Sequence, residues 1–260
     1  MLNISKEFKE QILNTEALKL SKGMIGIEKE SLRILDYKIS TLPHFPSLGS
    51  ALCNKYITTD FSEALLEFIT PPLISNDKTY EFLEDIHSFV SSRIDDEVLW
   101  PFSMPLETQS KNDIPIADYG SSNRARFKSI YRNGLSNRYG RSMQAISGIH
   151  FNYSLPEDIW DNNFLSGENK NFDKKKSIIY FGGIRNLKRM NWLILYLFGA
   201  SPIVPKSLIK GDYDNLGKID SNYYYLPYAT SLRMSDIGYQ THYQSDLKIS
   251  INSLDEYISD

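Results

Sequence analysis

The stretch IGIEKESLRIL, residues 25–35, sets the strongest constraint on what this chain can fold into. Gly23 and Gly26 interrupt the helical spacing that precedes it, and the stretch itself reads as a strand. In a strand, side chains two positions apart point to the same side, so Glu28 and Glu30 share one face. Two like charges so close repel each other, and a divalent cation between them makes the arrangement favourable. A solvated strand face is the plain alternative, because E-x-E is a common pattern.

Two further stretches carry the same kind of chemistry. In ITTDFSEALLEFITP, residues 57–71, Asp60, Glu63 and Glu67 are embedded among Leu65, Leu66, Phe68 and Ile69. A carboxylate among residues that favour burial needs a charge or hydrogen-bond partner, which a metal or a structural arginine can supply. In GIHFNYSLP, residues 148–156, alternation places His150, Asn152 and Ser154 on one face and Ile149, Phe151, Tyr153 and Leu155 on the other. Such a polar face can line a cavity or meet bulk water; in a cavity, neutral His150 is a candidate metal ligand. Together the three stretches point to carboxylates and one histidine directed into a shared cavity. Oxygen-rich ligation selects hard cations, Mg²⁺ in particular, held together with substrate phosphates. There is no GxxxxGK[ST] loop, so nucleotide phosphate would be held by metals and arginines. Arg124, Arg126, Arg132, Arg138 and Arg233 are available, although at least half of them are expected on a charged surface.

The rest of the chain reads as one α+β domain over 1–260, without repeats or a low-complexity linker. Helices are expected over residues 4 to 20, from Asn76 or Asp77 as N-cap, over 123 to 140, and over 176 to 198, the last buried at its end. His87 lies beside an apolar stripe and reads as structural. Residues 222 to 239 read as irregular or strand-rich, and QSDLKISIN as a strand. Asn252 and Ser253 look like an N-cap for LDEYI, which runs out after little more than one turn and reads as a cut. A net charge of -3 gives no basic surplus for nucleic acid. One cysteine, Cys53, excludes an internal disulfide framework and reads as a small buried hydrophobe. The amino terminus has no long apolar signal segment and WLILYLFGA is too short to span a bilayer, so a cytoplasmic protein without membrane contact is expected.

The stretches GIEKESLR, ITTDFSEALLEFITP, SSNRARFKSIYRNGLSNRYG, QAISGIHFNYSLP and YYYLPYATSLRMSDIGY, with WPFSMP and LFGASP, resemble the proteobacterial type of glutamate–cysteine ligase. They occur in the family's order from about residue 22 onward. The resemblance implies an α+β fold similar to glutamine synthetase, with packed helices and a curved antiparallel sheet forming a funnel whose inner face holds metals. It implies ATP-dependent joining of the γ-carboxyl of L-glutamate to L-cysteine through a γ-glutamyl phosphate, the first step of glutathione biosynthesis. By matching position, Glu28, Glu30, Asp60, Glu67 and His150 would ligate Mg²⁺, or Mn²⁺ in its place. Tyr131, Gln144, Arg233 and Tyr239 would lie around the amino-acid substrates, and Arg132 near the transferring phosphate. Family members are about twice as long, so the resemblance is to their amino-terminal half. The absent half would supply further strands and a metal-binding carboxylate, and a separately encoded carboxy-terminal half is the expected partner. A ligase for another amine and a non-catalytic remnant are the alternatives.

Overall fold

A computed structural model describes residues 21–156, 172–199, 201–209, 214–235, 237 and 249–259. The helix expected over 4 to 20 lies outside the described residues. The sheet is organised by β1 (Met24–Leu35), a 12-residue strand. It pairs antiparallel with β2 (Lys38–Ile39), β4 (Leu65–Ile69), β5 (Val98–Leu99) and β6 (Ile149–Ser154), and β3 (Ile57–Thr59) adds to β4. The result is a six-stranded sheet. Asp36 and Tyr37, at φ 49° and 60°, close the β1–β2 hairpin in the left-handed backbone that a two-residue turn demands.

The register assigns each side chain to a face. Glu30 pairs with Glu67 and Glu28 with His150, so these four point the same way. The opposite face carries Leu66 and Phe68, which pack with Ile57 and Leu48 of the short helix α1 (Phe45–Leu48). This layer is closed by Ile86 and Val90 of α2 (Asn76–Ser91). The α2 N-cap is Ser75, whose hydroxyl accepts from the Lys78 amide at 3.4 Å; Asn76 and Asp77 instead occupy the first turn. His87 meets the Phe68 ring edge-on at 4.9 Å, and burial pulls its pKa down to about 4, in keeping with a structural histidine.

Farther along β1, the carboxylate-bearing face becomes a core of Leu32, Ile34, Leu65, Phe61 and Ile114. Next to it run α3 (Asn123–Tyr139), capped by Ser122, and α4 (Arg141–Gln144). Beneath the sheet, buried Arg33 pairs with Glu97 at 2.8 Å and donates to the carbonyls of Leu42 and Glu63. β7 (Ile203–Pro205), β8 (Gly217–Lys218) and β9 (Tyr223–Tyr225) form a second, three-stranded antiparallel sheet. The α+β class with antiparallel sheets and packed helices is as expected.

Three local expectations differ from the structure. The end of α5 (Phe172–Phe198) is not buried: Trp192 is 62% and Phe198 77% exposed. The described residues pack too little against this apolar end to cover it. Cys53 is exposed, because it sits on the outside of a turn whose inner position is taken by Ala51, packed near Ala117 and Tyr119. Of the strand expected from QSDLKISIN, residues 249–252 carry no strand pairing, and 244–248 lie outside the described residues. The LDEYI helix is present as α6 (Leu254–Ser259), with Ser253 accepting from the Glu256 amide; Arg185 of α5 donates to the carbonyls of Ile251 and Asn252 just before it.

Candidate active site

Strand pairing brings together residues that lie far apart in the chain. His150 Nδ1 and Glu28 Oε2 are 3.1 Å apart on adjacent strands. On the other side of β1, Glu30 faces Glu67. Asp60 follows β3, its amide bonded to the Leu65 carbonyl, and its charge reaches both Glu30 and Glu67. Glu28, Glu30, Glu67 and His150 thus share one face, and Asp60, just past β3, is near enough to act on Glu30 and Glu67.

The electrostatics express this crowding. Glu30 is pushed up to about 7, first by burial and then by the Asp60 charge, with the Gly148 amide, His150 and Arg233 acting the other way. Burial also raises Asp60, against Arg132, His150 and Lys128, and it raises Glu67, which the Asp60 and Glu28 charges push further. Among the described residues, no Lys or Arg makes an ion pair with Glu30, Asp60 or Glu67. Nor do three acidic, histidine or cysteine side chains among them close into a ready metal cage.

Gly148 joins this face to a cation. Its amide donates to Glu30 Oε2 at 2.6 Å and its carbonyl accepts from the Glu30 amide at 2.9 Å. Arg233, in the 3-10 turn Leu232–Met234, donates from Nη1 to the Ser147 carbonyl at 2.5 Å. Its guanidinium lies so close to Gly148 that an added Cβ would sit 2.7 Å from Nη1. Glu30, Gly148, His150 and Arg233 line a cleft of about 480 Å³ whose far wall includes Ile194 and Phe198 of α5. A larger cavity of about 640 Å³, walled by Trp100, Met104, Ile203 and Tyr223, is almost wholly apolar and holds none of the candidate groups.

The other expected residues are distributed unevenly. Arg132 is half-buried on α3 and donates from Nε to the Asp60 carbonyl at 2.5 Å, whereas Arg124, Arg126 and Arg138 are exposed. Gln144 ends α4 with its side-chain nitrogen buried and unpartnered among the described residues. Tyr131 is 59% exposed, and among the described residues no hydrogen bond or ion pair ties it to the cluster; Tyr239 lies outside the described residues. The sequence reading missed Lys128, whose charge reaches Asp60 and Glu67, and Tyr119, whose ring lies under both Lys128 and Arg132. The four-residue spacing of Lys128 and Arg132 on a helix was the available signal.

The chain is similar to known proteins over most of its length. The pattern of the glutamate–cysteine ligase family matches residues 10–260. The glutamate–cysteine ligase of Alcanivorax borkumensis is 52% identical over 95% of this chain and 48% of its own length. That of Pseudomonas putida strain W619 is 49% identical over 92% of this chain and 46% of its own. A crystal structure of glutamate–cysteine ligase from Francisella tularensis in complex with AMP superposes with a TM-score of 0.83 at 43% identity, covering 92% of this chain and 47% of that one. A bifunctional glutathione synthetase from Pasteurella multocida superposes with a TM-score of 0.76 at 30% identity, covering 95% of this chain and 31% of that one. The chain spans about half the length of the curated relatives it matches. It belongs to the glutamate–cysteine ligase family.

Proposed function

We propose that this chain is the amino-terminal portion of a single catalytic domain that joins L-glutamate to L-cysteine at the expense of ATP. What supports this reading is the shared face of Glu28, Glu30, Glu67 and His150, with Asp60 close enough to act on Glu30 and with the charges of Arg132 and Arg233 nearby. In the reaction, the γ-carboxylate of glutamate takes the terminal phosphoryl group of ATP, releasing ADP. The cysteine amine then attacks the acyl phosphate, forming the amide and expelling phosphate.

The donor set fits a hard divalent cation. Its groups are carboxylate oxygens and one imidazole; burial raises the pKa of three of the carboxylates, and neighbouring carboxylates push Glu30 and Glu67 further. A pre-closed cage is not required, because magnesium is commonly held by one or two carboxylates together with substrate phosphates. When bound, the ion would neutralise phosphate charge during transfer. Glu28, Glu30, Asp60, Glu67 and His150 would hold it. Arg132, fixed on the Asp60 carbonyl, would face the transferring phosphate. Arg233, braced on Ser147, would bind a substrate carboxylate, and the unpartnered Gln144 amide would donate to the same substrate. Exposed Tyr131 and Tyr239 would complete the amino-acid pocket. The lone thiol Cys53 suits a reducing cytoplasm, and no helix among the described residues is long and apolar enough to cross a membrane.

The relatives' greater length makes a second polypeptide segment part of this proposal. The test is ATP-, Mg²⁺- and cysteine-dependent formation of γ-glutamylcysteine by the purified chain. It is run alone and mixed with the carboxy-terminal half of the Alcanivorax borkumensis relative. Activity is expected on mixing, and at a rate about 100-fold lower or less for the chain alone, the cost of removing one preorganised electrostatic group. No product from a folded mixture overturns the ligase reading, and full activity from the chain alone overturns the need for a second segment.

A further inference from the structure

A single peptide group stands between Glu30 and Arg233, and both of its ends are occupied. The Ser147 carbonyl accepts from Arg233 Nη1 at 2.5 Å, while the Gly148 amide of the same peptide donates to Glu30 Oε2 at 2.6 Å. In a trans peptide the C=O and N–H lie in one plane and point opposite ways. A rotation that loosens one of these contacts therefore loosens the other.

A second donor sets that plane. Ser103 Oγ lies 2.6 Å from the Ser147 carbonyl oxygen, and because a carbonyl carries no proton, the hydroxyl donates. The main chain of Ser103 returns the contact, its carbonyl accepting from the Ser147 amide at 2.8 Å. Ser103 thus grips Ser147 at both its N–H and its C=O. The two lone pairs of the Ser147 oxygen are taken by the Ser103 hydroxyl and the Arg233 guanidinium. Donors on a carbonyl also polarise its peptide, which strengthens the Gly148 N–H toward Glu30.

The segment that carries Ser103 is itself pinned. The Trp100 amide donates to the Leu32 carbonyl of β1 at 2.8 Å, and the Trp100 indole N–H donates to the Met104 carbonyl at 2.8 Å. Met104, Ile146 and Leu232 are buried in one apolar cluster, and they are the chain neighbours of Ser103, Ser147 and Arg233 respectively. A shared core fixes the three backbones, and the hydroxyl sets the rotation of the peptide between them. Ser103 is half-buried and lines the same cleft as Glu30, Gly148 and Arg233.

We propose that Ser103 is a positioning residue of this site. Its hydroxyl orients the Ser147–Gly148 peptide, which aims Glu30 at a divalent cation and Arg233 at a substrate carboxylate. The proposal deepens the ligase reading and rests on it.

Two measurements test it: equilibrium binding of Mn²⁺ to this chain, and the glutamate KM of the chain mixed with the carboxy-terminal half of the Alcanivorax borkumensis relative. Ser103→Ala is expected to weaken Mn²⁺ and to raise the glutamate KM, each about fivefold, the worth of one neutral hydrogen bond. The change in kcat should be smaller, as for a lost ground-state contact. Ser103→Thr, which keeps a hydroxyl, should restore both constants. A role in stability alone would lower the melting temperature of Ser103→Ala and leave both constants of the folded variant unchanged. That outcome, or a folded Ser103→Thr that loses as much as Ser103→Ala, overturns the proposal while the ligase reading stands. If the parent mixture is folded and makes no product, yet Ser103→Ala still weakens Mn²⁺, the ligase reading falls and the hold of Ser103 on Glu30 stands. If the parent chain, shown folded by circular dichroism, binds no Mn²⁺ and its mixture makes no product, both fall.

Discussion

Glu30 stands directly across from Glu67 on the neighbouring antiparallel strand, two acidic side chains on one face of the sheet. Opposed like charges destabilise a strand pair, and here the buried surroundings and nearby Asp60 add to the cost. Glu67→Gln should therefore raise the melting temperature of the metal-free chain while reducing the stabilisation gained on adding Mg²⁺ or Mn²⁺. Thermal melts with and without the cations check both halves; a lower melting temperature in the metal-free variant would contradict the first.

Burial of Glu30, with the Asp60 charge beside it, fixes a pH dependence. Glu30 rises from an ordinary value of 4.5 to about 7 in the folded chain, facing Asp60, His150, Arg233 and the Gly148 amide. Between those values the folded state holds more protons than the unfolded state, so its contribution to stability falls as pH rises through that window. Glu30→Gln should flatten this part of the stability–pH curve of the metal-free chain, as read by urea denaturation at a series of pH values. An unchanged slope would show that Glu30 does not titrate there.

Gly148→Ala places a methyl group against the far end of Arg233, 2.7 Å from Nη1. A guanidinium can swing away, so the fold should survive with a loss below about 1 kcal/mol. Displaced from the Ser147 carbonyl, Arg233 would no longer be held at its post. In the complemented enzyme, the KM for glutamate should rise about tenfold with less change in kcat, the pattern of a lost ground-state contact. Steady-state kinetics with varied glutamate gives the answer.

Glu97→Ala removes the only ion-pair partner of buried Arg33 among the described residues. The guanidinium would be left charged and desolvated, which costs about 3–5 kcal/mol. Chemical denaturation should show a loss of that size.

Cys53→Ser should change stability by less than about 0.5 kcal/mol, because the side chain is exposed. Turnover of the complemented enzyme should be retained, since phosphoryl transfer to glutamate uses no protein thiol. Loss of activity in a folded variant would refute this.

Much of the sheet was legible because β1, β4 and β6 each alternate, and alternation fixes which side chains share a face. It could not say that Glu28 would meet His150, because that contact joins residues 122 positions apart. Lys128 was passed over because α3 scatters its cations around the helix. What selects Lys128 and Arg132 is Tyr119, which arrives from an irregular segment before the helix. Cys53 and the end of α5 went astray for a common reason. Residue type speaks for average burial, while a turn position or an uncovered helix face decides the particular case.

The position of β1 at the centre of its sheet also orders the events by which the site is made. Glu30 meets Glu67 by closing a loop roughly a third as long as the one that brings His150 to Glu28. The longer closure costs about 1 kcal/mol more in chain entropy. The acidic half of the site can therefore condense with the β1–β4 pair and α2, early and locally. The histidine and Gly148 arrive with β6, after the costlier search, and the Arg233 brace needs a further closure, 86 residues long, onto Ser147. A mutation that loosens β6 would leave a folded acidic surface without its closing strand, so folding kinetics and site assembly can be separated in this molecule.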